Sequence, residues 1–153
     1  MARRGVALLT IVALALLAAG CGKKFVEPPI CSLLKASEVN AVLGTTTLQR
    51  RQLRETAGEA CLWLSKKPAR AFELTYDKRK GFTPLMLYVQ VGYYFKPLSC
   101  VNAKKAGWDP SGGYIVLKKS MLRATDFGAT DVKSDLCRLV PLAVARYEGK
   151  TPS

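Results

Sequence analysis

The stretch from Cys61 to Phe95, CLWLSKKPARAFELTYDKRKGFTPLMLYVQVGYYF, decides the fold class. Within it Phe72, Leu74 and Tyr76 alternate with Glu73, Thr75 and Asp77, the period-two pattern of a strand that buries one face. Just upstream, Cys61 and Trp63 point one way and Leu62 and Leu64 the other, so this more apolar segment reads as a central strand. After a turn at Lys78 to Pro84 comes the longest alternation. Leu85, Leu87, Val89, Val91, Tyr93 and Phe95 share one face, with Met86, Tyr88, Gln90, Gly92 and Tyr94 on the other.

Working outward, Leu48 to Arg54 reads as a polar edge strand whose basic residues discourage edge-to-edge pairing. Ser32 to Leu43 reads as one or two helical turns and then a short helix. Ser37 is the expected N-cap, Glu38 suits the positive end, Val39, Val42 and Leu43 share a face, and Gly44 is the stop. On the other side, Val101 to Gly107 reads as a brief helix, Asp109 to Gly113 as a turn and Tyr114 to Leu117 as a short buried strand. Leu136, Val140, Ala143, Val144 and Tyr147 then follow helical spacing, with Ser134 as cap, Asp135 near the start and Gly149 as the end. Pro141 lies inside this helix and is expected to kink it or to mark its first turn. The pattern predicts an α+β fold: an antiparallel sheet of four or five strands packed against an N-terminal and a C-terminal helix. One globular domain spans 31–149, with a tail at 150–153, and no internal repeat is present.

Composition narrows the chemistry. The 153 residues carry 24 Lys and Arg against 11 Asp and Glu, for a net charge of +13, and contain no His. Without imidazole there is no His general base and no His metal ligand, which excludes serine and cysteine triads, His-containing zinc sites and His-ligated haem. At 49% hydrophobic residues the chain has enough apolar material for a real core.

Residues 1–20 read as an address. Arg3 and Arg4 form a positive n-region, Val6 to Ala19 is apolar apart from Thr10, and small residues close the segment. The run is about 14 residues, roughly 21 Å as a helix, short of the ~30 Å hydrocarbon core that a permanent span must cross. Leu17-Ala18-Ala19-Gly20-Cys21 resembles the lipobox of bacterial lipoproteins, with Ala18 at the place where Leu is usual. The resemblance implies that Cys21 is acylated and becomes the anchored first residue after cleavage. It also explains the fifth cysteine, since an exposed free thiol is a liability in an oxidising compartment. Gly22 after the anchor, in place of Asp, points to the outer membrane in a Gram-negative envelope; in a Gram-positive or mycolic-acid envelope that rule is silent. Residues 21–30 form a short tether stiffened by Pro28 and Pro29, in which Lys23 and Lys24 suit anionic headgroups.

Cys31, Cys61, Cys100 and Cys137 remain, widely spaced and without a C-x-x-C knuckle, so two disulfides are expected in place of a zinc site. Three connectivities are open. Cys31 with Cys61 and Cys100 with Cys137 is favoured, because each pair links chain neighbours and pins a helix to the sheet. The Cys31-Ser32-Leu33-Leu34 start, the helix ending at Leu43-Gly44, the Cys61-Leu62-Trp63 strand and the late Cys137 together resemble an uncharacterised family of small cell-envelope lipoproteins common in actinobacteria. That resemblance implies a location and a disulfide plan more than an activity.

The expected function is a membrane-anchored envelope lipoprotein, exported and facing the periplasm or cell exterior. It acts as a non-enzymatic binding or accessory module for an anionic surface or a protein complex, with no cofactor and no metal. Basic clusters, above all Arg50, Arg51, Arg54, Lys78, Arg79 and Lys80, are the candidate anion-binding residues for an envelope polyanion. Export removes intracellular nucleic acid from the list of partners. The alternative is an envelope hydrolase or transferase working through carboxylates alone. Asp126, Asp131 and Asp135 are its only acidic cluster, and capping and turn roles explain them as well.

Overall fold

The computed structural model describes residues 24–46, 48–55, 58–78, 95–103 and 105–152. A 3₁₀ turn at Ile30–Ser32 precedes helix α1, Ala36–Leu43. Three strands follow, β1 at Gln49–Glu55, β2 at Gly58–Ser65 and β3 at Arg70–Asp77. Then come the short β4 at Lys96–Pro97, β5 at Lys105–Asp109, β6 at Gly112–Val116 and β7 at Met121–Phe127. Helix α2, Val132–Tyr147, closes the domain.

All seven strands form one antiparallel sheet in the order β1-β2-β3-β7-β6-β5-β4, so two meanders meet where β3 pairs with β7. The α+β class and the two disulfides hold, but the expected four or five strands become seven among the described residues. Three strands account for the difference. The strand β4 is only two residues long. In place of the expected helix at Val101 to Gly107 there is a loop followed by β5, and what reads as a turn at Asp109 to Gly113 is the tip of the β5–β6 hairpin. Strand β7 escapes a hydropathy reading because its buried positions include a carboxylate: Leu122, Ala124 and Asp126 are buried, alternating with the half-buried Arg123 and Thr125. The long alternation at 85–95 lies outside the described residues except for Phe95.

One face of the sheet carries the core. Trp63, Phe72, Leu74, Tyr76, Ile115 and Leu122 pack with Val39 and Leu43 of α1 and with Leu136, Leu139, Val140 and Val144 of α2. Gly113 lets α2 close on β6: a Cβ there would meet Leu136 at 3.2 Å. Lys35 is the N-cap of α1 where Ser37 was expected, and its N–H donates to Glu38 Oε2 at 2.7 Å. Gly44 ends that helix in the left-handed region, at φ 67°. Asp131 caps α2 by accepting from the Ser134 N–H at 3.0 Å, one turn earlier than the expected cap. The helix runs on through Pro141.

Register sorts the turns to two ends of the sheet. The C-terminal ends of β1, β3 and β6, the start of β7 and the end of α2 lie at one end, together with the chain entering from Lys24. The β2–β3 turn, the β5–β6 turn and the connection from β7 to α2 lie at the far end.

Candidate functional site

Four cysteines are structural. Cys31–Cys61 ties the 3₁₀ turn to β2 with Cα atoms 5.1 Å apart, and Cys100–Cys137 ties the loop before β5 to α2 at 5.6 Å. This is the favoured pairing. Cys21 lies outside the described residues. Among the described residues no group of three or more His, Cys, Asp or Glu side chains is placed to hold a metal ion.

At the far end, the carboxylates of the expected acidic cluster are occupied. Arg70 Nη2 donates to both oxygens of Asp126 at 3.1 Å and to Asp135 Oδ2 at 2.6 Å, while Nη1 donates to the Val42 carbonyl at the end of α1. One guanidinium therefore joins β3, β7, α1 and α2. The Asp126 side chain is 0% exposed. Burial pushes its carboxyl up to about 6, Arg70 pulls the other way, and the negative Asp135 adds to the rise. Asp131 stands apart as the α2 cap.

The candidate anion-binding residues are spread. Arg50 and Arg54 share one face of β1 and Arg51 takes the other, because a strand alternates its side chains. All three are exposed. Lys78 follows β3 at the entering end and pairs with Glu27 at 2.7 Å. Arg79 and Lys80 lie outside the described residues.

That entering end holds an arrangement the sequence did not announce. Phe25 to Pro29, inside the expected tether, lie against the domain. Glu27 accepts from Ser120 Oγ at 2.6 Å, from the Tyr147 hydroxyl at 3.2 Å and from Lys78. The Tyr76 hydroxyl donates to the Pro28 carbonyl at 3.0 Å. Burial works against ionised Glu27, yet Lys78, Ser120 and Tyr147 together hold it below the usual carboxylate range. Burial raises both tyrosines, Tyr147 to about 12, and the negative Glu27 adds to this, so both stay neutral donors. The Phe25 ring lies 5.1 Å from that of Tyr147, with the ammonium groups of Lys118 and Lys119 at 5.2 and 5.5 Å from its centroid. Lys119 Nζ also donates to the Phe25 carbonyl. Beside this ring is a cavity of about 620 Å³ lined by the apolar Phe25, Ala103, Val116 and Leu117, by Tyr147, and by the charged Lys118 and Glu148. Val26, next to Phe25, is 80% exposed. The one hint in the sequence is an aromatic and a carboxylate placed among lysines and prolines in a supposed linker.

No family model, curated protein or solved structure matches the chain. Among the described residues no helix is long and apolar enough to cross a membrane.

Proposed function

We propose that the protein is a bacterial envelope lipoprotein, exported and held to the cell membrane or outer membrane by acyl chains on Cys21. It works there as a non-enzymatic binding or accessory module for an anionic surface or a protein complex. The observation that carries this reading is the segment from Arg3 to Cys21, a basic start, an apolar run and a lipobox-like end. The disulfide pairs support it in two ways: they suit an oxidising compartment, and they account for every cysteine except the one beside the small residues. Without residues 1–20, which hold Arg3 and Arg4, the chain keeps 22 Lys and Arg against 11 Asp and Glu, and this net charge of +11 favours an anionic partner.

A carboxylate-dependent hydrolase or transferase has less support. Asp126 has the raised carboxyl that such chemistry uses, but its side chain is fully buried and held by Arg70, out of a substrate's reach. The test is Cys21→Ser in the native host. Acyl labelling and membrane fractionation should both be lost; unchanged acylation overturns the reading.

A further inference from the structure

We infer that the end of the domain carrying Phe25 is a docking surface for an anionic phospholipid bilayer, with Lys24, Lys118 and Lys119 on the headgroup phosphates. The inference rests on the lipoprotein reading and deepens it, by naming which face of the domain meets the membrane and what that face recognises.

Geometry is the first argument. Glu27, Pro28 and the Phe25 ring are fixed to the domain, and only four peptide links separate Cys21 from Phe25. They reach about 14 Å at most. An acylated Cys21 therefore holds this end of the sheet near the headgroup layer, within about two of the ~8 Å screening lengths of physiological salt. The far end, with Lys66 and Lys67 in the β2–β3 turn, faces away.

Charge is the second. Lys24, Lys118 and Lys119 are exposed at this end. The carboxylates near them have partners: Glu27 is paired with Lys78, and Glu148 with Lys150 at 2.5 Å. The ammonium groups of Lys118 and Lys119 sit over the Phe25 ring, and that of Lys119 also donates to the Phe25 carbonyl, which groups both cations on one side of the entering chain. Each such lysine near an anionic leaflet raises binding about fivefold.

Apolar surface is the third. The exposed Val26 and the cavity walled by Phe25, Val116 and Leu117 lie beside those cations. A recess with apolar walls, with Lys118 on its lining and the Glu148 carboxylate there balanced by Lys150, complements a phospholipid, which carries its chain and its phosphate together. A soluble polyanion would use only the charges and leave Val26 and the recess uncovered.

The full chain, purified from its native envelope, can be placed on vesicles of pure phosphatidylcholine or of one part phosphatidylglycerol to three parts phosphatidylcholine. Lysine acetylation rates are then read by mass spectrometry, with the intact mass of the same sample reporting whether Cys21 is acylated. Lys24, Lys118 and Lys119 should label about threefold or more slowly on the anionic vesicles, while Lys66 and Lys67 are unchanged. The double variant Lys118→Glu, Lys119→Glu, at exposed positions that leave Glu27 and its partners in place, should lose the protection of Lys24. Equal rates on both vesicles, or protection confined to Lys66 and Lys67, overturns the inference. An acylated chain without protection refutes the docking surface and spares the lipoprotein reading. An unacylated chain that still shows protection does the reverse.

Discussion

Arg70 at the far end and Glu27 at the entering end are opposite solutions to burying charge in the same sheet. At Arg70 one cation serves two carboxylates, Asp126 and Asp135. At Glu27 one carboxylate is served by an ammonium and two hydroxyls. Both sites are partly withdrawn from water, so desolvation works against the carboxylate in each, and the balance of donors decides the outcome. Two acids sharing one guanidinium leave Asp126 raised to about 6, whereas three donors on one acid hold Glu27 low. The first arrangement staples strands and helices together inside the domain. The second fastens an incoming segment to the surface, and lysines that contact that segment remain exposed around it. A buried ionic cluster is thus assigned by what it joins as much as by its charge.

The largest expected effect falls on the far end. Arg70→Met leaves Asp126 buried without its cation and frees the Val42 carbonyl, and should cost about 3 to 5 kcal/mol in urea unfolding. A loss within error of zero would remove the staple role. Next, the paired change Cys31→Ala and Cys61→Ala opens a loop of 30 residues and should cost about 2 to 4 kcal/mol, with the fold retained under mild conditions. At the entering end Glu27→Gln keeps acceptors for Ser120 and Tyr147 but gives up the charge opposite Lys78. A cost of about 1 to 2 kcal/mol is expected, together with faster proteolysis at Phe25 and Val26; unchanged cleavage there would mean that Glu27 does not fasten the segment.

The smallest effect is the pH dependence, and it has opposite signs at the two ends. Asp126 has a folded value above its unfolded one, so below about 4 its protonated form favours the native state fully, and that contribution is lost as pH rises through about 6. Glu27 and Glu38 are lowered, Glu38 chiefly by Arg146, so they stabilise the fold above the usual carboxylate value and stop doing so as pH falls through their folded values. Carboxyl carbon NMR titration should give Asp126 a midpoint near 6 and Glu27 one below 4.5. In Asp126→Asn, unfolding free energy should no longer decline between pH 4 and 6.

Much of the fold was legible because short-range periodicity carried it. The alternation at Phe72 to Asp77 marks β3, Val39, Val42 and Leu43 form the buried face of α1, and the spacing from Leu136 to Tyr147 marks α2. What escaped depends on partners far along the chain. Asp126 is buried because Arg70 lies 56 residues away in sequence, and Glu27 is held by Ser120 and Tyr147, 93 and 120 residues later. No local pattern encodes such pairs. The basic cluster at 50–54 is the converse case: the period that marks an edge strand also separates Arg51 from Arg50 and Arg54, so neighbours in sequence sit on opposite faces.

The proposed function depends on what happens at Cys21, and the mass of the N-terminal peptide from protein isolated from its native host reads this directly. It should begin at Cys21 and carry a thioether-linked diacylglyceryl group. A peptide that begins elsewhere, or that carries Cys21 without acyl mass, would contradict the anchor and the function built on it.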